Sequence, residues 1–403
     1  MTFDPGAPEF GRDPWPAYAA LRAQPGLHWH APFAGWLASR MVDVQAIVTD
    51  RRMVRQIAVF APDRAAEEQR AGNFHDMPFH ERFVQTSMLE IDGPDHDRLR
   101  RAVFPFFTKT RLAGLRPAID ACVADLLDRV LPREDFDFVA DLAALLPGLM
   151  IGRLIGTPDA DAPMMTQWSE DVVSYFDIDR SDAKKARAED ATRLFHDYLV
   201  RLRDDRRAAP RDDLMTALIG AEDQGILRGD ELIATVMQIL HAGHGSTIDV
   251  MASGMQALLS HPDQMARLRG DPGLMPTAVQ EMFRHASPLP FFHRYASEDV
   301  TIAGQDWPQG TKFGVLYASA NRDPAAFDDP DRFDVGRQPN PHIAFGGGPH
   351  FCLGNNLSRL NMESLFTALL ARTGEIASNG EARWKTGLQA HGPSFLPVRV
   401  TAA

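Results

Sequence analysis

Ten residues constrain this chain more than any other stretch: Phe345-Gly346-Gly347-Gly348-Pro349-His350-Phe351-Cys352-Leu353-Gly354. Three consecutive glycines let the backbone take positive φ and pass close to something bulky. From Leu353 onward the pattern turns helical, with Leu357, Leu360, Leu365, Leu369 and Leu370 near helical spacing. Cys352 is thereby presented at a loop-to-helix junction, where unpaired N–H groups favour a thiolate. Such a thiolate can be a nucleophile, a redox thiol or a metal ligand. No second cysteine lies nearby, which excludes a local C-x-x-C pair and a structural zinc site. A buried free cysteine is the plainest alternative.

The remainder reads as ordinary globular material. Its 403 residues are 44% hydrophobic and 24% charged, enough for a sizeable core. A net charge of −12 argues against nucleic acid as a partner. Cys122 and Cys352 are the only cysteines, so no disulfide framework is expected. Cys122 falls in the apolar-periodic helix expected over 115–131 and reads as core packing. The start, Met1 to Pro5, is neither basic nor apolar, and no run reaches the roughly 18 apolar residues of a membrane span. A soluble, cytoplasmic protein without membrane contact is expected.

Along the chain, residues 1–14 are rich in Pro, Gly and Asp and read as an extended arm. A short helix is expected over 16–24, then a small strand region over 28–37 and a helix over 42–49. Residues 61–85 are charged without clear period, which predicts a surface loop with Phe74, Phe79 and Phe83 partly buried. Residues 112–202 are mostly helical, broken at Pro147, Pro158 and Pro163, and 201–213 is a polar connection. Residues 231–259 form a long helix without proline. Its middle, Ala242-Gly243-His244-Gly245-Ser246-Thr247, is weak, since each glycine costs about 1 kcal/mol relative to alanine. A local distortion that admits a ligand is expected there. Pro288 and Pro290 exclude helix from 287–294. Strands are expected at 300–302 and 312–317. The fold class is mainly α with small β-sheets, without internal repeats.

The cysteine loop resembles the heme-binding loop of cytochrome P450, F-G-x-G-x-H/R-x-C-x-G. Phe345, Gly346, Gly348, His350, Cys352 and Gly354 all match. His96 and Arg100, four apart on one helix face, resemble the family's H-x-x-x-R. Ala242 to Thr247 resembles its oxygen-binding motif A/G-G-x-D/E-T-T/S, with Ser246 on the threonine and Gly245 where an acid is usual. Glu281 and Arg284 match its E-x-x-R, with Arg332 the first candidate for the third member and Arg337 the second. Arg294 matches a propionate-binding arginine. The resemblance covers most of the chain from about residue 90, and implies a single domain over 1–403.

The resemblance implies heme b held between the long central helix and the cysteine-loop helix, with Cys352 as the iron ligand. His96, Arg100, Arg294 and His350 would pair the propionates, with Ala242, Phe345 and Gly354 against the porphyrin. Thiolate ligation favours O–O cleavage, so the expected activity is a monooxygenase that hydroxylates or oxidatively O-demethylates a small organic substrate. Ser246, with Gly243 and Thr247, forms the expected catalytic segment. Gln238, His241, Phe291 and Phe292 are the expected substrate contacts; the polar pair suits a substrate bearing hydroxyl or ether oxygens. His241 lies roughly 140° from Ser246 on an ideal helix, so sharing a pocket would need the distortion. No flavin or nicotinamide fingerprint occurs, which implies an external ferredoxin or flavodoxin with an NAD(P)H reductase. Arg100, Arg101, Lys109, Arg111 and Arg359 are the candidate basic dock. The alternatives are a heme sensor, a peroxide-driven enzyme, or a heme-thiolate isomerase or dehydratase. No Arg-Pro pair of the peroxygenase kind lies in Leu240–Asp249.

Overall fold

The computed structural model describes residues 3–177 and 180–402; Met1 and Thr2, the tip of the expected arm, lie outside that range. The longest helix, Glu231–Ser260, is apolar on nearly every side, with Leu232, Val236, Leu240, Val250, Met251 and Met255 fully buried. A helix of that kind belongs at the centre of a core. Leu146–Ile155, Ala162–Ser174, Asp182–Ala208 and Met275–His285 pack around it. The helix Asn355–Arg372, which follows the cysteine loop, lies against Arg116–Val130. Cys122 sits in that second helix, buried in the main core as expected.

Among the described residues four small sheets flank the helices. The largest has the strand order His28–His30, Gly35–Ala38, Lys312–Leu316, Phe291–Ala296, Met53–Val54. Gly35–Ala38 runs parallel to Lys312–Leu316, and the other pairs are antiparallel. This sheet carries Phe292 and Arg294 toward the cysteine loop, with Arg294 opposite Phe313.

Glu281 and Arg284 tie the two halves of the cysteine side together. Both side chains are fully buried, and Arg284 Nε donates to Glu281 Oε2 at 2.7 Å. Arg284 also donates to the carbonyls of Asn321, Pro330 and Arg332. The third member is Arg337, whose Nε donates to Glu281 Oε1 at 3.1 Å. Arg332, the first candidate, contributes only its backbone oxygen, because its carbonyl and not its side chain faces the pair.

Three local expectations are overturned. Within the arm, Pro8–Arg12 is a helical turn that buries Phe10 on Tyr18, ring centroids 5.5 Å apart. Residues 61–85 are not a loop but contain helices Pro62–Ala71 and Pro78–Phe83. Each starts at a proline, whose missing N–H is no loss at the first helical position. Both are too short for a period to stand out, and Met77, His80 and Phe83 are buried. The central helix runs unbroken through Ala242–Thr247. There Gly243 packs so closely that a Cβ would meet Ile151 Cγ1 at 3.3 Å, and His244 Nδ1 donates to Leu240 O at 2.9 Å. Packing along the whole helix outweighs the glycine propensity penalty.

Candidate active site

The cysteine loop closes on itself. Gly346 N donates to Ile343 O at 2.9 Å and Cys352 N to Phe345 O at 3.0 Å. Gly346 and Gly348 take φ of +68° and +62°, and a Cβ on Gly348 would collide with the Val48 carbonyl oxygen. Glycine is needed at 348 on both grounds. The helix behind Cys352 starts at Asn355, two residues later than the leucine spacing suggests. Burial pushes the Cys352 thiol up, opposed by the Gly354 N–H and the guanidinium groups of Arg100 and Arg359.

One cavity brings the expected residues together. Phe345, His350, Cys352 and Gly354 line it on the loop side; Ala242, Gly243, Ser246 and Thr247 line it on the side of the central helix. Arg100, Arg294 and Arg55 stand on its wall. Arg100 Nη2 donates to Phe351 O at 2.6 Å. Arg294 donates through Nη1 to His293 O at 2.8 Å, while its Nε is buried without a partner. His96 is buried with its ring centroid 4.5 Å from that of His350, and its Nε2 also lacks a partner.

The side chains fit heme b. Buried donors without acceptors, beside cationic groups, match a porphyrin's propionates, since buried polar groups are nearly always satisfied. A single thiol on the loop side of the cavity suits an iron ligand.

His350 departs from its expected role in part. Its Nε2 meets Asp92 Oδ1 at 2.8 Å, and burial lowers the ring to about 4, so a neutral imidazole donates to the carboxylate. Burial would raise Asp92, but His350 and the N–H groups of Arg55 and Gln56 outweigh it and hold it below the usual range. Asp92 and Arg55 were not legible in the sequence. Arg55 Nη2 pairs with Glu90 at 2.5 Å and its Cζ lies 5.1 Å from the Phe292 ring centroid. The acids of Glu90-Ile91-Asp92, just before the helix of His96 and Arg100, were the available signal.

On the central helix, Ser246 Oγ has no hydrogen bond among the described residues, while Thr247 Oγ1 lies 3.1 Å from Ser358 Oγ on the cysteine helix. Gln238 and His241 both line the cavity, buried, with Gln238 Oε1 and His241 Nε2 unpartnered. Burial lowers His241 to about 4, so the ring is neutral. No distortion is needed to bring His241 and Ser246 to one cavity. Gly245 lies between them without a side chain, and the cavity wraps around the helix there. Phe292 lines the cavity, whereas Phe291 packs on Phe33 with centroids 5.0 Å apart. Neighbouring strand residues point to opposite faces.

The expected basic dock is split. Arg100 and Arg359 turn inward, Arg359 with its Cζ 4.6 Å from the Phe345 centroid. Arg101 and Lys109 are exposed, and Arg111 pairs with Asp212 at 2.9 Å.

A lone cysteine on a glycine loop, under a long helix and beside a cationic wall, defines a heme-thiolate protein. The family model described as Cytochrome P450 matches residues 273–373. Cytochrome P450 107B1 of Saccharopolyspora erythraea is 34% identical, over 97% of this chain and 96% of that protein. Mycinamicin IV hydroxylase/epoxidase of Micromonospora griseorubida is 36% identical over 90% and 89%. The solved structure of epothilone B-bound cytochrome P450epoK superposes with a TM-score of 0.91 at 27% identity, covering 100% of both chains. The chain belongs to the cytochrome P450 family. It is a heme-thiolate monooxygenase with heme b as cofactor, served by redox partners and acting on small molecules. Among the described residues no helix is long and apolar enough to cross a membrane.

Proposed function

We propose that residues 1–403 form one monooxygenase domain in which Cys352 would ligate the heme iron and Ser246 is the active-site alcohol. The observation that carries this reading is the shared cavity of Cys352, Ser246 and the unpartnered Arg294 Nε. The heme, when bound, supplies the redox centre at which dioxygen is reduced and one oxygen atom is transferred. Arg100, Arg294 and His96 would hold its propionates, while His350 gives its one N–H to Asp92; the N–H groups after Cys352 would tune the sulfur. Ser246 holds a water in the cavity and passes protons to it. Phe176 and Phe292, together with the central helix, keep bulk water out.

The substrate carries hydroxyl or ether oxygens. Support comes from His241 Nε2 and Gln238 Oε1, which are buried beside the reacting space and lack partners. Hydroxylation or O-demethylation is the reaction, and the hydroxylase/epoxidase relative suits that class. Electrons come from a ferredoxin or flavodoxin, with Arg101 and Lys109 left exposed to meet an acidic surface.

The test is the Soret band of the reduced, carbon-monoxide-treated protein. The wild type should show the strongly red-shifted band of thiolate ligation. Cys352→His should lose that band and the oxygenase activity, with unchanged circular dichroism. Retention of both in Cys352→Ala would end this reading.

A further inference from the structure

We infer that Asp249, paired with Lys385, is the carboxylate that supplies protons to Ser246. The balanced reaction, RH + O2 + 2e− + 2H+ → ROH + H2O, draws protons from bulk solvent into the cavity. Position 245 offers no acid for that task. On an unbroken helix successive residues turn by about 100°, so Asp249 projects between Gly245 and Ser246, about 40° from Gly245 and one turn on. Both of those residues line the cavity.

Asp249 is fully buried. Its Oδ1 accepts from Lys385 Nζ at 2.6 Å, while Oδ2 has no partner among the described residues. A carboxylate buried only to hold a lysine would have its second oxygen satisfied too. One turn further, Ser253 Oγ is also buried and unpartnered. The path outward is short. The Lys385 side chain is 30% exposed, and Glu170 is near enough that Lys385 and Asp249 both act on its charge. Lys385 follows Arg383–Trp384, the first strand of a hairpin with Pro393–Phe395; the hairpin lies directly on the helix, since a Cβ on Gly392 would stand 2.9 Å from Asp249 Cα. Of the buried histidines on this stretch, His241 lines the cavity further along the helix and His244 faces Gly148. Burial pushes the Asp249 carboxyl up, against the Lys385 charge, the direction that favours the proton-carrying form.

In each delivery, Asp249 releases one proton from Oδ2 toward the water at Ser246. One proton from solvent, by way of Glu170 and Lys385, restores it. This relay ends at Ser246 and so rests on the role proposed above for that residue.

The test uses the heme-loaded enzyme driven by a ferredoxin and its NADPH-dependent reductase, without added substrate. Asp249→Asn should slow NADPH consumption about tenfold and enlarge the solvent isotope effect. Gly245→Asp added to that variant should restore both, since nothing lies within 4 Å of a Cβ at Gly245. In the resting protein, an infrared band of a protonated carboxyl group should be present in the wild type and missing from Asp249→Asn. Should Asp249→Asn not fold, Lys385→Met on the hairpin is read for the same slowing. Unchanged turnover and isotope effect with a lowered melting temperature would leave only an ion pair tying hairpin to helix, and would overturn the proposal; so would absence of the infrared band. Ser246→Ala is measured in parallel. A response there with none in Asp249→Asn keeps the Ser246 role and rejects this one.

Discussion

His241 shows what a single residue contributes to the choice of substrate. It is 2% exposed, neutral, and has an unpartnered Nε2. An unsatisfied buried group of this kind costs about 1–3 kcal/mol. The fold alone gives no return for that cost; a bound oxygen-bearing molecule would supply the missing partner. Two results should follow from His241→Leu. Without ligand, the variant should unfold at higher denaturant by an amount equivalent to about 1–3 kcal/mol. In titrations that read the heme spin state, methyl ethers and polyols should outrank hydrocarbons of equal volume in the wild type and fall behind them in the variant. Alkanes or terpenes binding best to the wild type would remove His241 from substrate recognition.

At the scale of elements, the cysteine loop and the central helix carry the site, and they differ in how legible they were. The loop is encoded locally: the glycine spacing, the cysteine and the following leucines dictate its shape, and the structure returns it nearly unchanged. Its glycines are not equivalent, which gives a contrast to measure. Gly348→Ala adds the left-handed penalty of about 1–2 kcal/mol to a collision with the Val48 carbonyl. Gly354 has an ordinary φ of −81° and lines the cavity, so a Cβ there would meet no other protein atom within 4 Å. The melting temperature of the heme-free protein should fall in Gly348→Ala and hold in Gly354→Ala. An unchanged melting temperature in Gly348→Ala would mean that the loop tolerates displacement. The central helix was legible as a helix, but not as an unbroken one, because Ile151 packs on Gly243 from a segment about 90 residues away. Distance in sequence also hid Arg55, Asp92 and Lys385. Arg55 finds Glu90, Asp92 finds His350, and Lys385 finds Asp249 only once the chain is folded. The helices within 61–85 were missed for a different reason: each is about one to three turns long, below the length at which a 3.6-residue period is readable.

At the scale of the molecule, the buried histidines set its response to acid. Burial lowers His80 and His342 to about 3, and His241 and His391 to about 4, against about 6.5 in an unfolded chain. Between those values the unfolded state binds protons that the folded state refuses. Stability contributed by the neutral rings is therefore present above about pH 6.5 and is lost as the pH falls toward their folded values. Each proton changes stability by about 1.4 kcal/mol per pH unit at full uptake. Net charge acts in the opposite sense. The chain carries −12 at pH 7 and approaches neutrality near its isoelectric point of 5.6, so self-repulsion eases over the same interval. The two effects give opposite slopes. The melting temperature should fall as the pH drops from about 6.5 to about 4.5, with net proton uptake on unfolding measured by calorimetry in buffers of different ionisation enthalpy. His241→Leu should reduce that uptake by close to one proton without changing its sign. A melting temperature that rises over this interval would mean that charge repulsion, not the buried rings, governs the acid limb.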